Sequence, residues 1–146
     1  WTTNFRLWNE GTWTFRVRIW AYDRYAAESG LITPSLEARY PLQGAVVDGD
    51  ASTLPDSASG VALSRQGVMV TAFGPTSDGP GTLLRLWELA GESRPCEVQL
   101  PRGLTVATAQ PVNLRGQPQG HVIPIRNGTF RFDCAAFAPA SFLLQR

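Results

Sequence analysis

From position 67 to position 89 the chain reads GVMVTAFGPTSDGPGTLLRLWEL, two apolar-rich runs joined by a loop of Gly, Pro, Ser, Thr and Asp. Runs of this length bounded by turn-forming residues read as strands. The same punctuation continues to the end of the chain and predicts further short strands at 61–64, 94–100, 105–113 and 140–145. Segments 122–126 and 129–133 flank Asn127-Gly128, a dipeptide that supplies the two positive φ angles of a type I′ hairpin turn. Pro124 has no N–H to give to a ladder, so its strand belongs at a sheet edge or a non-bonded position.

The first half is less regular. In 12–22, Trp13, Phe15, Val17 and Ile19 fall on one face and Thr14, Arg16 and Arg18 on the other, the period-2 pattern of a half-buried strand. A long antiparallel strand is expected there, with Trp13 in the core. One helix is expected at 23–29, with Asp23 as N-cap and Gly30 placed to end it. Segment 44–60 is rich in Gly, Asp, Ser and Pro and reads as a loop with at most a short strand at 44–47. About nine strands and one short helix predict an all-β fold, an antiparallel β-sandwich, with a partly closed barrel as the other architecture. At 146 residues the chain is expected to be a single domain over 1–146, of a size that buries roughly 68–70% of the unfolded surface.

Composition removes several kinds of chemistry. The formal charge is +1, against broad capture of nucleic acid, which needs a clustered basic face. All 13 basic residues are Arg, which excludes lysine Schiff-base and general-base roles. The apolar runs are too short to cross a bilayer, so neither nucleic acid nor a membrane is expected as a partner. His121 is the sole histidine, and neither Cys96 nor Cys134 lies in a C-x-x-C pair, so no zinc site of several His ligands is available. His121 reads as a surface residue. The two cysteines read as free buried thiols packing as small hydrophobes, with a pairing across the sandwich as the other possibility. Asp48-Gly49-Asp50 reads as a solvated turn, because the remaining ligands of a calcium loop do not follow. Asn127-Gly128-Thr129 also matches a glycosylation sequon, although the hairpin already accounts for it.

Aromatic residues crowd the beginning of the chain: Trp1, Trp8, Trp13, Trp20 and Tyr22. Trp20 and Tyr22 take the opposite parity from Trp13. An exposed pair of such rings marks a surface that something else covers: another domain, a second copy of the chain, or a stacked sugar. Trp1 is not a natural start, so a longer parent protein is expected.

Several segments, in chain order, resemble the C-terminal β region of the α-mannosidase family of glycoside hydrolases, family 38. They are Trp1-Thr2-Thr3-Asn4-Phe5 followed by Gly11, Thr14-Phe15 and Arg16; Tyr40-Pro41-Leu42; Ala72-Phe73, Asp78-Gly79 and the strand Leu83-Leu84-Arg85-Leu86-Trp87-Glu88; Ala109, Val112-Asn113-Leu114 and Gly116-Gln117-Pro118; and Pro139-Ala140-Ser141-Phe142-Leu143-Leu144. Asn113 departs from the pattern, which has an acidic residue ahead of Leu114. The resemblance implies that catalysis belongs to a separate N-terminal α/β domain, where zinc held by Asp and His residues orients the sugar and an Asp is the nucleophile of a retaining mechanism. It carries no catalytic residue and no metal ligand onto this chain. It implies a partner, the catalytic domain of the same parent protein, and makes Trp1, Asn4, Phe5, Trp8, Trp20 and Tyr22 the candidates for a domain interface or a glycan contact. The alternative is a free-standing carbohydrate-binding or adhesion module.

Overall fold

A computed structural model describes residues 10–24, 26, 32–40, 42–46, 57–76 and 79–146. Its described elements are one helix, α1 (Thr33–Arg39), and eight strands: β1 (Ala62–Leu63), β2 (Val68–Pro75), β3 (Thr82–Glu88), β4 (Arg94–Gln99), β5 (Thr108–Pro111), β6 (Ile123–Pro124), β7 (Thr129–Cys134) and β8 (Pro139–Gln145). The strands form two antiparallel sheets, a three-stranded one in the order β1-β4-β7 and a five-stranded one in the order β2-β3-β8-β5-β6. The fold is the expected all-β sandwich.

Alternation explains how the two layers close. Strand β3 turns Leu84, Leu86 and Glu88 inward, β4 turns Cys96 and Val98 inward, and β7 turns Phe130, Phe132 and Cys134 inward, while their neighbours face solvent. Phe142 and Leu144 of β8 complete the core. Phe142 is the contact between layers: its ring lies 5.1 Å from Phe130 and 4.9 Å from Phe132, both at steep angles, the edge-to-face arrangement that aromatic quadrupoles favour. Between Val70 and Ala72 the β2–β3 register slips by one residue, a bulge that bends the strand at the end of the sheet order.

The Asn127-Gly128 turn is present, with φ of 51° and 74°, and Arg126 and Thr129 exchange two backbone hydrogen bonds of 2.9 Å. Its two strands then part. β6 pairs with β5 in one sheet, while β7 pairs with β4 over six residues in the other. The turn therefore passes the chain from one layer to the other instead of starting a long hairpin ladder, and Pro124 sits on a strand at the sheet edge as its missing N–H requires.

Two expectations for the first half need correction. Residues 12–22 form no ladder, and the supposed inward set is exposed, Trp13 at 64% and Ile19 at 94%. Alternation specifies which side chains share a face but supplies no strand to bond the backbone, and nothing in this sandwich does so. At the predicted helix 23–29, Asp23, Arg24 and Ala26 are not helical and the rest lies outside the described residues. The helix instead runs Thr33–Arg39, with Pro at its start, where a fixed φ is favourable and the missing N–H costs nothing. It ends at Tyr40, whose N–H bonds to the Leu36 carbonyl at 2.8 Å and whose ψ of 74° has left the helical region. In the 44–47 segment, Gly44, Ala45 and Val46 are loop, in line with the sequence, and Val47 and the Asp48-Gly49-Asp50 turn lie outside the described residues.

Cys96 and Cys134 are free and buried. They occupy neighbouring strands of one sheet, Cys96 opposite Phe132 and Cys134 opposite Arg94, so they are diagonal neighbours and do not face each other across the sandwich. Burial pushes both thiols above their ordinary range, as expected for cysteines that pack as hydrophobes.

Candidate functional site

Glycoside hydrolysis needs two reachable carboxyl groups flanking a sugar, about 5–10 Å apart. The most distinctive carboxylate of this fold is Glu88, and it is not reachable: it is fully buried at the end of β3. Its Oε1 accepts the backbone N–H of Ala90 at 3.1 Å and of Glu92 at 3.2 Å, and its Oε2 accepts those of Gly91 at 2.8 Å and Phe137 at 2.9 Å. Arg65 completes the shell with an ion pair to Oε1 and a second bond, 3.1 Å, to the Glu92 carbonyl. Glu88 thus ties together three turns at one end of the sandwich: the β1–β2 turn through Arg65, its own β3–β4 turn, and the β7–β8 turn through Phe137. Gly91 has φ +80°, and a Cβ there would stand 2.5 Å from the Phe137 ring, so the turn accepts glycine alone without rearrangement.

Burial by itself raises the Glu88 pKa, but the N–H donors of Phe137, Gly91, Glu92 and Ala90 outweigh it and hold the carboxyl below its ordinary value. The charged form is the folded form. A depressed folded pKa means that the contribution is complete above the unfolded value, about 4.3, and is lost as pH falls through the lower folded value. The expected result is a urea midpoint insensitive to this group at about pH 6–8 that declines below about pH 4. Glu88→Gln should remove that part of the acid dependence, and a pH profile identical in both proteins would contradict the assignment.

Nothing else described assembles catalytic chemistry. A groove of about 740 Å³ lies between the start of β3, the end of β8 and the 103–106 loop, and Arg146 supplies the sole ionisable side chain of its lining. Among the described residues no group of three His, Cys, Asp and Glu could hold a metal ion. His121 is exposed, as the sequence suggests.

What the fold does present is apolar surface. Trp87 on β3 stands opposite Met69 on the outer face of the five-stranded sheet and is 45% exposed. Residues 12–22 add Trp13, Phe15, Val17 and Ile19, all exposed. Of the interface candidates, Trp20 is 38% and Tyr22 48% exposed, so both are more covered than the residues expected to be core. Trp1, Asn4, Phe5 and Trp8 lie outside the described residues. This described surface suits docking. Sequence reasoning passed over Glu88, although its signal was legible: it holds the third inward position after Leu84 and Leu86, where a carboxylate must be fully hydrogen-bonded or paired.

No curated protein and no solved structure matches the chain. The model of the glycosyl hydrolases family 38 C-terminal beta sandwich domain matches residues 67–137, which runs from β2 through β7 and includes Glu88 with its four backbone donors. Residues 67–137 thus match the C-terminal β-sandwich domain of family 38 glycosyl hydrolases, and the match supports a non-catalytic domain of a protein of that family.

Proposed function

We propose that this chain supports the catalytic domain of an α-mannosidase-like glycoside hydrolase, packing against it and shaping it while contributing no catalytic residue. The family match carries the reading. The chemistry agrees with it: the buried carboxylate is saturated by its own backbone, and the free surface is apolar. Zinc belongs to the catalytic domain of the parent, no ligand set for it being present among the described residues, and the sugar substrate is bound and cleaved there. Trp1, Asn4, Phe5 and Trp8 are placed by this reading at the entry from that domain, with Trp20 and Tyr22 contributing to the covered surface. The isolated chain is expected to show no turnover of a synthetic aryl mannoside, with or without added zinc. Sustained release of the aryl alcohol would overturn the proposal.

A further inference from the structure

We infer that residues 12–22 are a β-strand of a sheet that belongs to the part of the parent chain N-terminal to this sandwich, paired there edge to edge. The inference rests on the supporting role proposed above and names its means. Four apolar side chains, Trp13, Phe15, Val17 and Ile19, alternate with Thr14, Arg16 and Arg18, and all four are largely exposed. A period of two fits a pleated strand with an apolar layer beneath it and does not fit a helix in a groove, which would need spacings of three and four. An exposed stretch of this kind on a finished surface invites aggregation unless a partner covers it.

The edges of this sandwich do not offer that partner. β1 and β6 have two residues each, too few for an eleven-residue strand (12–22). β2 pairs with β3 alone among the described strands, and 12–22 forms no ladder with it. β7 turns the charged Arg131 and Asp133 outward, a common protection of a sheet edge, and the layer beneath it is already filled by Phe130, Phe132 and Phe142. The family match begins at residue 67, so 12–22 precedes the matched sandwich and lies on the side of the chain that leads from the catalytic part. An extended segment that leaves one folded body with its apolar face uncovered is completed by the body it comes from.

Hydrogen exchange on the full-length parent tests this. Amides of 12–22 are expected to be protected at least about 100-fold over an exposed chain, approaching the strands β3 and β8. In the parent, Phe15→Asp with Ile19→Asp should release 12–22 while β3 and β8 stay protected, so that local release is told apart from global unfolding. Unprotected 12–22 amides in a parent that cleaves an aryl mannoside would overturn the strand and leave the supporting role standing. Protection in a parent with no glycosidase turnover would keep the strand and overturn the supporting role. Protection that appears in this 146-residue chain alone and grows with its concentration would assign the partner to a second copy and overturn the inference.

Discussion

Glu88→Gln is expected to lower the melting temperature of this chain by about 10–20 °C, the equivalent of about 3–5 kcal/mol in a domain of this size. The carboxylate offers about four acceptor positions, and four backbone N–H groups and Arg65 use them. Glutamine keeps the shape but has one acceptor oxygen, and its amide would point N–H groups at N–H groups. It also leaves the Arg65 guanidinium, whose side chain is 10% exposed, without its counter-charge. Arg65→Met should cost less, because Glu88 then keeps its four backbone donors and gains an apolar neighbour in place of an ion pair of doubtful net value. Differential scanning calorimetry of the two variants decides the matter. Equal losses, or a larger one for Arg65→Met, would show that the ion pair and not the backbone cage holds this end of the sandwich.

Phe142→Ala is the second large effect, a loss of about 3–5 kcal/mol in urea unfolding. Phe142 is 3% exposed and touches both Phe130 and Phe132 of the opposite sheet. Its removal leaves a cavity at the one place where rings from both layers meet, and the paired strands β3 and β5 on either side of β8 prevent collapse around it. The loss is a large part of the 5–15 kcal/mol typical of a whole domain. Val122→Ala, at a half-exposed position, serves as a control and should change stability by no more than about 0.5 kcal/mol. A Phe142→Ala loss below about 1 kcal/mol would mean that the layers do not close on this ring.

The strands from position 61 onward were legible because there the alternation of side chains coincides with a partner strand. The 82–89 run became Thr82–Glu88 and the 94–100 run became Arg94–Gln99, almost unchanged. Two strands are shorter than their sequence runs: 105–113 became Thr108–Pro111 and 122–126 became Ile123–Pro124. Segment 12–22 shows the converse, a strong pattern with no ladder among the described residues. The turn at Asn127-Gly128 was legible from local φ preferences, whereas the parting of its strands into two sheets is set by contacts distant in sequence. The helix at Thr33–Arg39 was missed because Thr33-Pro34 reads as a break, although proline at a helix start is favourable. For the site, the donors around Glu88 were not legible, since they come from turns as far apart as Ala90 and Phe137.

In the function proposed above, this sandwich supports a glycosidase without taking part in its chemistry. Thermal inactivation of the full-length parent carrying Glu88→Gln measures both halves of that claim. At 25 °C, where the variant is folded, kcat/KM for an aryl mannoside is expected to equal that of the unmodified protein, while the temperature of half-inactivation falls by about 10 °C or more. Lost turnover in the folded variant would give this domain a place in the reaction. An unchanged inactivation temperature would show that the catalytic domain does not depend on it.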